Sequence, residues 1–245
     1  MTVRSALRRT VAAAIAACAF GALGRARAGD PNVVHNTDPQ APAMVYGRFD
    51  ETACLAELTR RGITFMIVAE ARGVLAPIRL MSPLHGVTIR SALPARLRNT
   101  SPLEILDCRL ALALDDFSAI LARYDVVELV HLSAYRPPSA RHWAQGRIGA
   151  RHEGGLALDA ATFIRRDGSE LRVERDFHGR IGAKTCGAGA GPSPPTPDAI
   201  TMRKIVCEAA DGHLFNVELT PDYNRQHRNH FHLEVTPQVN WFLVH

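Results

Sequence analysis

Apolar residues recur along the chain with two different spacings, and each spacing predicts a different kind of element. Residues 50–61 carry Leu55 and Leu58 three positions apart, between an acidic start and a glycine, which predicts a helix. Over 102–124, leucines and a phenylalanine recur at every third or fourth position, which predicts a longer helix with one buried face. A third helix is predicted over 198–210, directly after a loop rich in glycine and proline.

Short β-rich or alternating runs predict strands, and most of these runs lie in the second half of the chain. The predicted strands cover 64–68, 86–90, 126–135, 156–163, 171–174, 215–219 and 230–235. Helices therefore come mostly early and antiparallel strands mostly late. This order is typical of an α+β fold.

The positive charge of the chain is concentrated near its start. The 245 residues include 29 Lys and Arg against 24 Asp and Glu, a formal net charge of +5. Residues 1–28 contain five of the arginines and no Lys, Asp or Glu, which leaves 24 basic and 24 acidic residues in the remainder. The remainder is thus neutral overall, and we expect no nucleic-acid partner.

The start of the chain has the organisation of a cleaved export signal. A basic stretch precedes an Ala-rich apolar run over 11–24, and Ala26-Arg27-Ala28 fits a cleavage site. The run of about 14 residues is shorter than the roughly 20 needed to cross a bilayer, which favours a cleaved signal over an anchor. We expect an exported, periplasmic protein without stable membrane insertion, and an adjacent arginine pair leaves the twin-arginine route open. Residues 29–46 are interpreted as a linker before a folded domain over 47–245.

Four cysteines remain once Cys18 leaves with the signal. An even number of cysteines in an oxidising compartment predicts two disulfides, and three pairings are possible. The preferred pairing is Cys54 with Cys108 and Cys186 with Cys207, because the second bond closes the Gly/Pro-rich loop. Four free thiols, or a thiolate zinc site, are the alternatives, although the sequence lacks the C-x-x-C spacing of such sites.

Two segments carry candidate metal ligands. In His230-Phe231-His232, a strand would turn both imidazoles to one face, roughly 6–7 Å apart. The other segment runs from His152 to Asp159, which would lie more than about 20 Å apart in an extended chain. These two residues meet only if the chain folds back, and Gly154-Gly155 permits this. Each segment alone is also compatible with an ordinary strand or turn that carries exposed polar residues.

Taken together, the two segments indicate a catalytic metal site. Two imidazoles and one carboxylate, from His152, Asp159 and His232, form a three-ligand set that leaves a fourth position open on zinc. His230 or His227 is a candidate base for the attacking water. Arg136, at the end of a predicted strand, is a candidate for stabilising an oxyanion, and an ordinary surface role is its alternative.

The motifs resemble those of a known family. The pattern H-x-x-G-x-A-x-D over 152–159, followed by a late H-x-H, is similar to that of D-alanyl-D-alanine metallopeptidases and penicillin-insensitive murein endopeptidases. The stretch over 221–234, P-D-Y-N-R-Q-H-R-N-H-F-H-L-E, more closely resembles the bacterial extensin-like protein family. Cys54, Cys108 and Cys207 also lie where that family places cysteines. The resemblance covers roughly residues 47–236.

The resemblance implies a role for each matching position. His152, Asp159 and His232 match zinc ligands, and His230 matches the histidine that serves as base or oxyanion partner. His227 matches a further active-site histidine of the murein endopeptidases. Arg136 matches the arginine of the extensin-like family. The implied fold is a small antiparallel sheet flanked by helices, with zinc in a groove on one sheet face.

Two departures from the family pattern affect the periphery of the site. Ala150 stands where the wider group has a serine, and Tyr135 directly precedes Arg136 where the family has a cysteine. The ligand set is intact, so the resemblance implies an active zinc metallopeptidase that cleaves amide bonds of peptidoglycan peptides. The alternatives are a non-catalytic, zinc-containing module that binds the cell wall, and a zinc amidase or peptidase with other substrates.

Overall fold

Two β-sheets organise the computed structural model, which describes residues 32–35, 38–144 and 146–245. Within this part, the strands are β1 Val33–His35, β2 Phe65–Ile67, β3 Pro77–Leu80, β4 Thr88–Ser91, β5 Leu106–Asp107, β6 Val126–His131, β7 Ala157–Arg165, β8 Glu170–Arg172, β9 Val217–Leu219, β10 Phe231–Glu234 and β11 Trp241–Val244. The larger sheet has the order β1-β11-β9-β10-β7-β6-β4, with β8 paired to β7, and the smaller one the order β2-β3-β5. Two pairs, β4 with β6 and β9 with β11, are parallel, and the other pairs are antiparallel.

The helices lie around this framework, and the longest of them forms much of the core. They are α1 Pro42–Gly47, α2 Glu51–Arg60, α3 Ala95–Arg98, α4 Cys108–Arg123, α5 Val173–Asp176 and α6 Pro197–Asp211. The side chain of Asp107 accepts a hydrogen bond from the Arg109 amide and caps α4, and Thr196 caps α6 in the same way. Helix α4 contacts α1, α2, α6 and β6, and nearly all its apolar side chains are buried.

Alternate residues of the central strands point to opposite faces of the larger sheet, and this alternation separates core from site. On β10, Phe231 and Leu233 belong to the apolar core, as do their partners Ala160 and Leu158 on β7. Residues His232 and Asp159 therefore face the other side of the sheet.

The α+β class is confirmed, but several predicted elements differ in extent. The large sheet is mixed and wider than the small antiparallel sheet that we expected. The predicted helix over 102–124 begins only at Cys108, because 102–107 forms a short 3-10 turn and β5. The predicted strand over 171–174 ends at Arg172, where α5 begins. The segment interpreted as a linker contains β1 and most of α1, which pack against β11 and α4.

Both preferred disulfides are present. Cys54 on α2 is bonded to Cys108 at the start of α4, with their Cα atoms 6.0 Å apart. Cys186 is bonded to Cys207 on α6, with their Cα atoms 5.6 Å apart. The second bond fastens the Gly/Pro-rich loop to α6, as the sequence predicts.

The expected export signal over residues 1–28 lies outside the described residues, as does Cys18. In the part of the chain that is described, no helix combines the length and apolar character needed to span a bilayer.

Candidate metal centre

Two of the candidate ligands are direct neighbours across a pair of antiparallel strands. Asp159 on β7 and His232 on β10 are Cα partners in the strand register. Because opposite residues of such a pair have Cβ atoms about 5 Å apart, their polar atoms are brought together by the sheet itself. His232 Nδ1 lies 3.1 Å from Asp159 Oδ1.

The third candidate ligand reaches the same point through a tight turn. His152 lies in a 3-10 turn, Arg151–Gly154, and Gly155 follows in the left-handed conformation with φ of 64°. A Cβ atom on Gly155 would lie 2.8 Å from the Asp107 amide nitrogen, and one on Gly154 would lie 2.3 Å from the Gly149 oxygen. Both glycines are therefore required for the chain to fold back, and His152 Nε2 comes to 3.1 Å from Asp159 Oδ1.

Hydrogen bonds select the nitrogen that each imidazole presents to the centre. His152 Nδ1 lies 2.7 Å from the carbonyl oxygen of Ala134, which only accepts, so Nδ1 donates and Nε2 is left as the acceptor. His232 Nε2 lies 3.0 Å from a carboxylate oxygen of Glu234, which leaves Nδ1 directed at Asp159. Such an outer hydrogen bond is what metal-ligating histidines almost always form.

The geometry of this cluster fits a divalent metal ion. Candidate ligand atoms of His152, Asp159 and His232 all lie within 4.8 Å of one another. A tetrahedral zinc ion with bonds of about 2.0–2.1 Å places its ligand atoms about 3.3 Å apart. The two separations of 3.1 Å from Asp159 Oδ1 are close to this value. The donor set of two imidazoles and one carboxylate is the type that binds catalytic zinc.

The electrostatics of the cluster keep Asp159 ionised. Burial by itself raises the pKa of the Asp159 carboxyl, but the neighbouring imidazoles of His152 and His232 outweigh burial, so its pKa lies well below the usual range. Burial lowers the pKa of His232, whereas its hydrogen bonds to Asp159 and Glu234 raise it, and the net direction is upward. A buried carboxylate that stays negative attracts a cation to this point.

Two further histidines lie beside the three candidate ligands. His230 Nε2 lies 3.4 Å from Asp159 Oδ1, and the His227 ring lies 5.2 Å from the His230 ring. Burial, as the main cause, lowers the pKa of His227 to about 4 and also lowers the pKa of His230. Both imidazoles are therefore neutral near pH 7, and a neutral imidazole is the form that accepts a proton.

Arg136 is also part of the cluster, in a more specific position than the sequence indicates. Its Nη2 donates to Asp159 Oδ2 at 2.5 Å, and its Nε donates to the Ser133 hydroxyl at 2.7 Å. The guanidinium thus holds the carboxylate oxygen that the two histidines leave free. Because 57 % of its side chain is exposed, part of the guanidinium also remains accessible to a ligand.

Glu234 is a site residue that our sequence analysis missed. Its carboxylate is buried, lies beside His232, and also accepts a hydrogen bond of 2.9 Å from the Thr236 hydroxyl. The sequence does contain a signal for it, because His232 and Glu234 are two positions apart on one strand and so share a face.

Comparison with known families agrees with the resemblance of the motifs to the extensin-like family. A family model described as "Extensin-like protein C-terminus" matches residues 52–243. The chain belongs to this extensin-like family, and the match includes every residue of the cluster described above. Neither the curated proteins nor the solved structures contain a match to the chain.

Proposed function

We propose that this protein is a zinc-dependent hydrolase that cleaves amide bonds in peptidoglycan peptides. The observation that supports this proposal most directly is the convergence of His152, Asp159 and His232, with their outer hydrogen bonds already formed. The similarity of the two metal motifs to those of D-alanyl-D-alanine metallopeptidases and murein endopeptidases supports the substrate class. The signal-like start of the chain supports a periplasmic location, where that substrate is found.

Each residue of the cluster has a defined task in this proposal. His152 Nε2, one oxygen of Asp159 and His232 Nδ1 hold the metal. When bound, zinc supplies Lewis acidity that polarises the amide carbonyl and lowers the pKa of water. His230, neutral and 3.4 Å from Asp159, accepts the proton of the attacking water and passes it to the leaving amine.

The remaining residues of the cluster position the reacting groups. Asn224 Oδ1 lies 2.8 Å from His227 Nδ1 and so fixes the orientation of the His227 ring against His230. Arg136 holds Asp159 Oδ2 and presents its exposed N–H groups to a developing oxyanion. Both roles depend on orientation, which the buried hydrogen bonds provide before a substrate arrives.

A comparison of two variants tests the assignment. Zinc content and muropeptide cleavage, the latter read by mass spectrometry, are measured for the wild type, Asp159→Ala and His230→Ala. We expect Asp159→Ala to lose both zinc and turnover, because it removes a ligand. We expect His230→Ala to keep one zinc per chain and to lose turnover by about 10²–10⁴-fold, the usual contribution of a general base.

Three results would contradict the proposal. Full turnover in either variant would remove the assigned roles. Muropeptide binding by the zinc-loaded wild type without any change in mass would indicate a binding module. Cleavage of ordinary L-peptides at the same rate as muropeptides would indicate a different substrate class.

A further inference from the structure

A second feature lies next to the metal centre and is used by none of the steps above. It is a groove of about 300 Å³ between α5 and the segments that follow α5 and β9. Its apolar part is formed by Val173, Ile181 and Pro221, and its charged part includes Arg225 and Arg228. In the following paragraphs it is called the arginine groove.

The arginine groove is connected to the histidine cluster through the side chain of Asn224. Asn224 lines the groove, and its side-chain oxygen also lies 2.8 Å from His227 Nδ1. The His227 ring lies 5.2 Å from the ring of His230, the proposed base. The groove is thus linked to the proposed base through two side chains, Asn224 and His227.

The charge of the groove favours an anion. Arg175 is neutralised by Asp176, whereas Arg228 lies 3.9 Å from Glu174 and keeps 62 % of its side chain exposed. Arg225 is exposed and forms no ion pair within the described part of the chain. The groove therefore presents at least one uncompensated guanidinium, a group that binds carboxylates with two parallel hydrogen bonds.

The walls of the groove are fixed by buried polar contacts. Asp222 accepts hydrogen bonds from the Arg180 amide at 2.7 Å and from the Arg203 guanidinium at 2.9 Å. A Cβ atom on Gly179 would lie 2.9 Å from the Pro221 Cβ, so the loop closely approaches the segment that follows β9. The P-D-Y-N part of the sequence motif thereby acquires a structural explanation, because Pro221 and Asn224 line this groove and the buried Asp222 holds its neighbouring loop in place.

We propose that the arginine groove binds a free carboxylate of the peptide substrate, together with the short apolar side chain next to it. The inference rests on the proposed hydrolase function and gives its substrate class more sharply: a peptide with a carboxylate near the scissile amide. Arg225 is the residue that pairs with this carboxylate, and Ile181 and Pro221 contact the apolar part. The groove is thus a specificity-determining site and takes no part in the chemical step.

The test uses one matched pair of ligands and one matched pair of variants. The ligands are a synthetic pentapeptide of the peptidoglycan stem with free carboxylates and the same pentapeptide with every carboxyl amidated. The variants are Arg225→Gln and, as the control, Arg166→Gln, which changes an exposed turn arginine that does not line the groove. Binding is measured by calorimetry with zinc-loaded protein that also carries His230→Ala, so that cleavage does not interfere.

We expect Arg225→Gln to weaken binding of the carboxylate peptide by roughly 10-fold or more, the usual effect of losing a hydrogen bond between charged groups. Binding of the amidated peptide stays unchanged, and Arg166→Gln affects neither peptide. With His230 intact, Arg225→Gln raises KM for the carboxylate peptide and leaves kcat unchanged, because the contact is the same in ground and transition states.

The outcomes separate this inference from the proposed function. Equal losses for both peptides, or no loss for either, would overturn the role of the groove even if the wild type cleaves its substrate. Charge-dependent binding that Arg225→Gln removes, without cleavage by the wild type, would overturn the hydrolase and keep the groove as an anion-binding site.

Discussion

The surroundings of Asp159 and of Asp222 differ, although both carboxylates are almost fully buried beside the same sheet. Asp222 is paired with Arg203, which is itself buried, and with backbone and hydroxyl donors from the neighbouring loop. Asp159 is surrounded by three imidazoles and by Arg136, whose side chain is mostly exposed. Asp222 is thus paired with a buried cation, whereas the arginine paired with Asp159 is mostly exposed to solvent.

This difference separates a structural ion pair from a site. A buried pair such as Asp222 and Arg203 leaves no capacity for an additional ligand, because each charge is already compensated. Around Asp159, by contrast, several nitrogen atoms point at one carboxylate oxygen, the arrangement expected where a cation belongs. The comparison thus explains why one buried aspartate stabilises the fold, whereas the other lies in a cluster whose geometry fits a metal ion.

The largest expected difference between the two aspartates is in how much each contributes to the free energy of unfolding. Asp222→Ala should lower the free energy of unfolding of the zinc-free protein by about 3–5 kcal/mol, because it leaves the Arg203 charge buried without a partner. Asp159→Ala should lower it by less, since Arg136 reaches solvent and His232, whose pKa Asp159 helps to raise, can lose its proton. Urea denaturation with zinc chelated measures both values.

In the same experiment with zinc present, we expect Asp159→Ala to lose more stability, relative to the wild type, than Asp222→Ala. At a zinc concentration about a thousand times the dissociation constant, a bound ion adds about 4 kcal/mol to stability. Asp222→Ala should keep this gain, and Asp159→Ala should lose it. Asp198→Ala, at a partly exposed ion pair with Arg165, is the control and should cost at most about 1 kcal/mol. A zinc gain that survives in Asp159→Ala would contradict the distinction.

The three candidate ligands could be predicted from the sequence because their spacing carries the information. Residues two apart on a strand share a face, and two glycines permit the turn that returns His152 to Asp159. The partner of Arg136 could not be predicted, because the contact depends on where β6 ends relative to β7. The pairing of Asp159 with His232 was likewise set by strand register, which local pattern does not encode.

Other parts of the fold lacked a local signal. Strands β3 and β11 have only four residues each, too few for a periodic pattern to stand out. Strand β1 is recognisable only through its pairing with β11, since most of its side chains are exposed. The helix predicted over 102–124 was too long because Asp107 ends β5 and caps α4 at once, a change of element without a glycine or proline to mark it.

A smaller effect is expected from the contact between Glu234 and His232, beside the candidate metal centre. Glu234→Ala should weaken zinc binding by about 10–100-fold, because the hydrogen bond to His232 Nε2 orients that ring and raises its basicity. Glu234→Gln, which keeps an acceptor without the charge, should fall between this variant and the wild type. Competition with a chelating dye measures the affinities.

The matched control for Glu234 is Glu170→Ala, which removes a carboxylate from β8 of the same sheet outside the cluster. It should leave zinc affinity unchanged. Equal zinc affinities for Glu234→Ala and the wild type would show that Glu234 does not act through His232. Glu234 would then be a structural residue, as Asp222 is.

Glu218 extends the comparison to another buried carboxyl, one that forms no hydrogen bond with any described residue. On β9 it is the neighbour of the core residue Leu233, and neither of its side-chain oxygens forms a hydrogen bond in the described structure. Burial, and to a lesser extent the charge of Asp211, raises the pKa of Glu218 well above its usual value. The folded protein therefore keeps a proton that the unfolded chain releases at its ordinary pKa of about 4.3.

Above about pH 4.3, the folded state binds more protons than the unfolded state does. The free energy of unfolding should therefore fall as the pH rises from about 4.3 towards the raised pKa of Glu218, by at most about 1.4 kcal/mol per pH unit. Glu218→Met removes the titrating group and fills the same space, so its stability advantage over the wild type should grow between pH 5 and pH 8. Urea denaturation at several pH values, with zinc chelated, measures this difference, and Glu170→Gln should show none. A difference that stays constant with pH would mean that Glu218 is ionised in the folded protein. Its carboxylate would then require a cationic partner, as those of Asp159 and Asp222 do.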